Sequence, residues 1–89
     1  MTSGRDTYRL KIREKLDKKL LKMHKSTIRK IEKKVADILK NPYRYKNLRT
    51  PLNHLKRVHI DNHFVLTFSV QGDTVTLEDY DHHDNIYKD

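Results

Sequence analysis

The chain has 89 residues and no cysteine, a length that fits one small domain and argues against a multidomain enzyme with a separate cofactor module. The absence of cysteine excludes disulfides, thiol nucleophiles and cysteine-ligated metal centres. No stretch reaches the roughly 18 apolar residues that a membrane span needs, and residues 1–6 lack the apolar segment of a signal peptide. We therefore expect a cytoplasmic protein with a single domain over residues 1–89, of which residues 1–6 form a disordered tail.

The chain is strongly basic, and its charge is unevenly distributed. Its 20 Lys and Arg residues against 12 Asp and Glu residues give a net charge of +8. Residues 1–50 carry 17 basic and five acidic side chains, net +12, whereas residues 51–89 carry three basic and seven acidic side chains, net −4. This charge favours a polyanionic partner such as RNA, although a lysine-rich helix exterior is also typical of an ordinary solvated surface.

The first half of the chain predicts a strand followed by two helices. Tyr8, Leu10 and Ile12 alternate with basic residues, which is typical of a short strand with one buried face. Two amphipathic helices then follow, with apolar residues three or four positions apart. These positions are Leu16, Leu20 and Met23 in the first helix, and Ile28, Ile31, Val35 and Ile38 in the second. We expect Ser26 or Thr27 to cap the second helix and 41–42 to end it at a proline.

From residue 55 onward the apolar period changes to two, which predicts three consecutive strands. The apolar positions are Val58 and Ile60; Phe64, Leu66, Phe68 and Val70; Val75 and Leu77. A two-residue turn at 72–73 pairs Val70 with Val75, and a three-residue loop at 61–63 pairs Ile60 with Phe64. Both registers collect the apolar side chains on one face. The predicted fold is therefore α+β, of order β-α-α-β-β-β, with a basic two-helix hairpin packed on one face of a small antiparallel sheet.

The opposite face of the predicted sheet carries polar and ionisable side chains. They are Arg57, His59, Thr67, Ser69, Glu78, Tyr80 and His82. One face of an antiparallel layer is often simply wet, so the pattern alone does not establish a site. His82 and His83 are adjacent and would point to opposite faces of a strand, which disfavours a shared metal ion. No metal or other cofactor is expected.

A metal-free reaction at an RNA phosphodiester fits these residue types. RNA supplies its own nucleophile, the 2′-hydroxyl, so cleavage needs a base, an acid for the departing 5′-oxygen and cations near the phosphorus. Histidines can be the acid and the base, and basic side chains can hold the phosphate. The candidates are His59, His82 and His83 for proton transfer and Arg57 and Lys56 for the phosphate. Tyr80 or Tyr87 could stack on a base or hydrogen-bond the phosphate.

The order of elements and several short motifs resemble the RelE/ParE toxin superfamily, specifically its archaeal and bacterial RelE-like mRNA interferases. The resemblance spans residues 8–87. Its motifs are Asn41-Pro42-Tyr43 and Lys46-Asn47-Leu48 after the second helix, His54-Leu55-Lys56-Arg57-Val58-His59-Ile60 in the next strand, His63-Phe64-Val65-Leu66 after the turn, and the closing His82-His83-Asp84-Asn85-Ile86-Tyr87.

The resemblance implies a toxin that cuts mRNA on the ribosome by 2′-hydroxyl attack and so inhibits translation. It also implies a cognate RelB-like antitoxin as partner, no membrane contact, and DNA contact only through the antitoxin complex. Lys46 and Arg57 match basic positions of the family, and Tyr87 matches its terminal aromatic residue. His59 and His63 stand where family members usually carry arginine.

Together these arguments predict two sets of site residues. The catalytic set is Arg57, His59, His82, His83 and Tyr87. The set that contacts RNA or the ribosome is Lys18, Lys22, Lys30, Lys33, Lys46, Arg49 and Lys56. Two alternatives share the predicted fold: a ParE-type toxin that poisons DNA gyrase, and an RNA-binding module without catalysis. The imidazole-rich C-terminus favours the nuclease, because gyrase inhibition needs no titratable groups.

Overall fold

The computed structural model describes residues 8–87, apart from the side chain of Tyr87, and the tail predicted at residues 1–6 lies outside that range. The fold is α+β, as predicted. Its elements are β1 (Arg9–Ile12), α1 (Glu14–Leu20), α2 (Lys25–Lys40), a 3₁₀ turn (Pro42–Arg44), β2 (Lys56–His59), β3 (Phe64–Gln71), β4 (Thr74–His82) and α3 (His83–Tyr87). Across residues 8–87, none of the helices combines the length and the apolar character needed to cross a bilayer.

The helices pack through the apolar positions that the 3.6-residue period predicts. The buried side chains are Leu16 of α1 and Ile31, Val35 and Ile38 of α2. They form one cluster with apolar side chains from β3 and β4. The N-cap of α2 is His24 rather than the predicted Ser26 or Thr27: its ring Nδ1 accepts a hydrogen bond from the Ser26 backbone N–H at 3.3 Å. The imidazole thus takes the place that a hydroxyl usually fills.

The four strands form one mixed sheet in the order β1-β4-β3-β2. The pairs β2–β3 and β3–β4 are antiparallel, but β1 runs parallel to β4. The prediction of an antiparallel sheet was therefore wrong for β1, because local alternation reveals a strand but not its partner. β1 is also an outer strand whose four residues are all exposed, so its predicted buried face is not realised.

Both predicted hairpin registers are confirmed. Val70 lies opposite Val75, and Gly72 in the connecting turn has φ +59°, as the first central position of a type II′ turn requires. In the first hairpin the backbone N–H of Ile60 donates to the carbonyl oxygen of Phe64 at 3.0 Å. The loop at 61–63 is closed by the Asp61 carboxylate, which accepts hydrogen bonds from two backbone N–H groups of the hairpin at 2.9 and 3.0 Å.

A β-bulge at Glu78 changes the face on which the second half of β4 presents its side chains. Thr67 pairs with Asp79 and the next residue of β3 pairs with Leu77, so Glu78 is one residue extra. Tyr80 consequently enters the core, where it is 8% exposed. The prediction that Tyr80 and His82 lie on the face opposite the helices was wrong, because it assumed unbroken alternation along this strand.

The loop at 47–55 covers part of the sheet face opposite α2. The loop is compact, with a backbone hydrogen bond from Leu48 to Leu55 at 2.8 Å. Leu48 is buried, and so are Val65 and Thr67 of β3. The face predicted to be exposed to solvent therefore has a covered region beside a solvent-exposed one.

Candidate functional site

A basic cleft runs along the outer edge of β2. Its volume is about 420 Å³. Its lining residues, which define the β2-edge cleft, are Arg44, Tyr45, Lys46, Arg57, Val58 and His59. Arg57 and His59 alternate along β2 with Val58 and Ile60, which pack toward the helices. Two guanidinium groups, one ammonium group and one imidazole thus surround one concave surface, an arrangement that suits a phosphate.

The segment after the 3₁₀ turn forms the second wall of this cleft. The backbone N–H of Arg57 donates to the carbonyl oxygen of Lys46 at 3.1 Å, so the segment runs beside β2. The Arg44 guanidinium lies 5.1 Å from the ring centroid of Tyr45. The Lys56 ammonium donates a hydrogen bond to the carbonyl oxygen of Tyr45 at 3.0 Å. The structure therefore gives Lys56 a part in holding this wall in place.

Four histidines form two stacked pairs at the end of the sheet. The ring centroids of His59 and His83 are 5.9 Å apart with an interplanar angle of 27°. Those of His63 and His82 are 5.8 Å apart with an angle of 13°. His82 also contacts the ring of Phe64, which packs against the core. The two adjacent histidines thus serve different pairs, and only the pair of His59 and His83 adjoins the β2-edge cleft.

The start of α3 fixes the positions of these rings. The backbone N–H of His83 donates to the carbonyl oxygen of His63 at 2.6 Å, which ties α3 to the β2–β3 hairpin. Asp84 lies between the two neighbouring imidazoles, with carboxylate oxygens 3.7 Å from His82 Nδ1 and 3.6 Å from His83 Nδ1.

The bulge residue Glu78 is held by α1 and β3. Its carboxylate accepts hydrogen bonds from Arg13 Nε and from the Ser69 hydroxyl, both at 2.8 Å. Burial raises the pKa of Glu78, but the hydrogen bonds from Arg13 and Ser69 outweigh burial and hold the pKa below its usual value. Glu78 is therefore an ionised structural group near neutral pH.

Two aspartates on the same strand bind α1 and α3. Lys19 Nζ lies 2.8 Å from Asp79 Oδ1 and 3.8 Å from Asp81 Oδ2. The pKa of Asp81 is lowered chiefly by the hydrogen bond that the Asn85 side chain donates to its carboxylate. Ion pairs and a hydrogen bond therefore cover one side of the sheet face opposite α2.

A second cavity of about 200 Å³ lies under the loop at 47–55. Its lining residues, which define the leucine-lined cavity, are Lys15, Leu48, Leu52, His54, Leu55, Thr67, Glu78, Asp79, Asn85 and Ile86. The cavity combines aliphatic walls with a polar rim of carboxylates, an amide and an imidazole. Within the residues that the structure describes, no three histidine, aspartate or glutamate side chains are arranged to hold a metal ion.

Sequence comparison assigns the family. No protein family model matches the chain. A Methanosarcina mazei protein named "Uncharacterized protein" is 58% identical over 85 residues, which cover 90% of this chain and 99% of the relative. A Methanocaldococcus jannaschii protein named "Putative toxin RelE4" is 52% identical over 86 residues, which cover 91% of this chain and 92% of the relative. The chain belongs to the RelE-like toxin family.

Solved structures share the RelE-like toxin fold. The toxin–antitoxin complex RelBE2 of Mycobacterium tuberculosis contains a chain that matches with a TM-score of 0.73 at 18% identity, covering 86% of this chain and 99% of that one. YafQ of E. coli matches with a TM-score of 0.71 at 10% identity, covering 90% of this chain and 98% of that one. At these identities the likeness concerns the fold.

In this RelE-like toxin the predicted catalytic residues divide into two groups. Arg57 and His59 line the β2-edge cleft, and His83 adjoins it by stacking on His59. His82 lies in the second histidine pair, on the side of the sheet that packs against the core. The backbone of Tyr87 closes α3, and its side chain lies outside the described part of the chain.

The predicted RNA-contacting residues are spread over the surface. Lys46 lines the β2-edge cleft. The residues Lys18, Lys22, Lys30, Lys33 and Arg49 are exposed on the helices, the turn between them and the loop. Lys18 lies 3.8 Å from Glu14 on the adjacent helical turn, a contact too exposed to withdraw its charge from a partner.

Two residues of this RelE-like toxin site were missed by the sequence reasoning. Arg44 lines the β2-edge cleft, and the alternation of basic and aromatic residues at 43–46 is the signal that could have indicated it. His54 lines the leucine-lined cavity. It lies in an irregular loop, where no periodicity predicts the direction of a side chain.

Proposed function

We propose that this RelE-like toxin is an endoribonuclease that cleaves mRNA on the ribosome by metal-free attack of the RNA 2′-hydroxyl. One observation carries the proposal: the stacked imidazoles of His59 and His83, 5.9 Å apart, adjoin a cleft lined by Arg44, Lys46 and Arg57. Acid, base and cationic groups are the components that this reaction needs.

The proposed chemistry assigns each group a part. One imidazole of the His59–His83 pair takes the proton of the 2′-hydroxyl as its oxygen forms a bond to phosphorus. The bond from phosphorus to the 5′-oxygen breaks, and the other imidazole, in its protonated form, gives that oxygen a proton. Arg57, with Lys46 and Arg44 beside it, stabilises the negative charge on the phosphate oxygens. The products are a 2′,3′-cyclic phosphate and a 5′-hydroxyl.

We further propose that a cognate antitoxin binds the surface formed by β1 and the end of α1, at the edge of the sheet opposite β2. The matching M. tuberculosis chain comes from a structure named as a toxin–antitoxin complex. In the present chain the outer strand β1 exposes Leu10 and Ile12 among basic residues, and Leu21 at the end of α1 is 83% exposed. Apolar side chains surrounded by positive charge favour an acidic, amphipathic partner segment. A protein encoded alongside the toxin should co-purify with it and neutralise its toxicity.

The decisive test combines the purified full chain with ribosomes that carry a defined mRNA. Cleavage should occur in EDTA, leave a 2′,3′-cyclic phosphate and a 5′-hydroxyl, and show a bell-shaped dependence on pH between roughly 5 and 8. Products with a 5′-phosphate, or loss of activity with chelator, would contradict the mechanism. Inhibition of DNA gyrase without RNA cleavage would favour the ParE-type alternative.

Histidine variants locate the chemistry. His59→Ala and His83→Ala should each lower the cleavage rate by about 10²–10⁴ while ribosome binding persists. His24→Ala is the matched control, because His24 caps α2 and lines neither cavity. His82→Ala tests the placement of the bulge: a loss in this variant without a loss in His59→Ala and His83→Ala would assign the chemistry to the pair of His63 and His82 instead.

A further inference from the structure

The leucine-lined cavity lies beside the β2-edge cleft and takes no part in the proposed bond cleavage. Arg57 of the cleft is directly opposite Thr67 of the cavity in the register of β2 and β3. Paired residues on adjacent antiparallel strands lie about 4.5–5.5 Å apart. One nucleotide is long enough to place its phosphate at Arg57 and its base beyond Thr67.

The walls of the cavity suit a flat heterocycle. Leu52 and Leu55 come from the roofing loop and Ile86 from α3, while buried Leu48 fixes the loop to the sheet. The volume of about 200 Å³ is that of a site for one small ring system. Enzymes that act on nucleic acids commonly hold an unstacked base between apolar or aromatic side chains in this way.

The rim of the cavity presents an acceptor-only group at Asp79. Its Oδ1 accepts hydrogen bonds from Lys19 Nζ at 2.8 Å and from the backbone N–H of Tyr80 at 2.9 Å. Its Oδ2 lies 3.5 Å from Nζ of the exposed Lys15 side chain. A carboxylate oxygen has two acceptor positions, and both positions of Oδ1 are filled, so Oδ2 is the atom of Asp79 that can accept a hydrogen bond from a ligand. The two lysines offset its charge, so an RNA strand is not repelled.

The acceptor character of Asp79 discriminates among the bases. Guanine presents two adjacent donors on its Watson–Crick edge, N1–H and the N2 amino group, and either can donate to Oδ2, the oxygen of Asp79 that Lys19 and the Tyr80 N–H leave available. Uracil presents a single N–H between two carbonyl oxygens, which a carboxylate repels. A carboxylate at the rim therefore selects guanine over uracil.

We propose that the leucine-lined cavity is a nucleobase subsite that binds a guanine of the RNA whose phosphate occupies the β2-edge cleft. The inference rests on the proposed function for its substrate, RNA, and adds a base preference set by the protein itself. Asp79 is the specificity-determining residue, and the aliphatic walls contribute affinity without selecting a base.

Nuclear magnetic resonance titration of the full chain with 3′-GMP and 3′-UMP tests the subsite without requiring cleavage. Both nucleotides should shift the backbone amides of Lys46 and Arg57. Only 3′-GMP should shift the methyl groups of Leu52, Leu55 and Ile86, and it should bind about tenfold more tightly than 3′-UMP.

Three variants refine the test. Asp79→Asn replaces one acceptor oxygen by a donor and should abolish the preference for 3′-GMP. Asp81→Asn is the matched control, because Asp81 also faces Lys19 but does not line the cavity, so the preference should persist. Leu52→Trp, at a partly exposed position of the loop, should fill the cavity and remove the methyl shifts while the amide shifts at the cleft remain.

The outcomes for the subsite and for the nuclease are separable. Equal affinity for the two nucleotides, or shifts confined to the β2-edge cleft, would overturn the guanine subsite and leave the proposed nuclease intact. Guanine-selective shifts in the cavity combined with no cleavage on ribosomes would support the subsite and overturn the nuclease. Loss of the preference in Asp81→Asn as well as in Asp79→Asn would show a general charge effect and overturn the role of Asp79.

Discussion

Leu16→Ala should destabilise the protein more than its place in a seven-residue helix suggests. Leu16 is fully buried and is the one buried residue of α1 within the described chain. The remaining attachments of α1 are the partly buried Leu20, which packs against the same core, and ion pairs of half-exposed lysines such as Lys19 with Asp79. Exposed ion pairs each contribute about 1 kcal/mol or less, so packing of Leu16 is the main attachment of this helix.

The magnitude follows from burial. Truncating a fully buried leucine to alanine removes its transfer free energy and leaves a cavity, which together cost about 3–5 kcal/mol. A domain of this size has a total free energy of unfolding of about 4–13 kcal/mol. The variant should therefore lose about a quarter or more of its free energy of unfolding, with a fall in Tm of at least ~10 °C.

Urea unfolding followed by circular dichroism measures this loss. The matched control is Leu21→Ala, because Leu21 is the C-cap of the same helix and is 83% exposed. The control should change the free energy of unfolding by about 0.5 kcal/mol or less. A loss below about 1 kcal/mol in Leu16→Ala, or equal losses in the two variants, would refute the assignment of Leu16 to the core.

Three further predictions concern the turn, the carboxylates and the basic surface. Gly72→Ala should lower the free energy of unfolding in urea by about 1 kcal/mol. Gly72 has φ +59°, and an added Cβ meets no atom within 4 Å, so the loss comes from backbone strain alone. An unchanged free energy of unfolding would contradict the assignment of this turn. Asp61 has a pKa lowered first by the hydrogen bond from the His63 backbone N–H. Its stabilising contribution is therefore present above about pH 4 and lost as the pH falls through the lowered pKa, and Asp61→Asn should flatten that part of the pH–stability curve. Binding to RNA should weaken steeply between about 50 and 200 mM salt. Lys22→Gln or Lys33→Gln should reduce the slope of log binding constant against log salt concentration by up to about 0.7 per lost phosphate contact. An unchanged slope would identify those lysines as solvated surface.

The hairpin registers were predictable because two constraints had to agree. Turn length and side-chain alternation each fix which residues face each other, and only one loop length at 61–63 places Ile60 and Phe64 on the same face. The structure has that register. The parallel pairing of β1 with β4 was not predictable in this way, since its partner lies far along the chain and no turn connects the two strands.

The bulge at Glu78 explains why the candidate site was only partly predicted. Strict alternation from Leu77 would have placed Asp79 in the core and Tyr80 on the opposite face. Burying an aspartate among apolar side chains is costly, and the extra residue avoids it by exchanging the two positions. The two consecutive acidic residues between Leu77 and Tyr80 are the signal that could have revealed the bulge. Without it, His82 was assigned the place that His83 occupies beside His59.

The parallel pairing of β1 with β4 also determines when the molecule can be completed during synthesis. Leu10 of β1 pairs with Val75 of β4, and Arg13 bonds Glu78 across 65 positions of sequence. β1 therefore cannot pair until β4 has been synthesised. The His59–His83 pair likewise joins β2 to the start of α3. A nascent chain that has emerged only as far as β2 therefore has neither its N-terminal strand docked nor its histidine pair assembled. The proposed toxic site forms only after the start of α3 has left the ribosome.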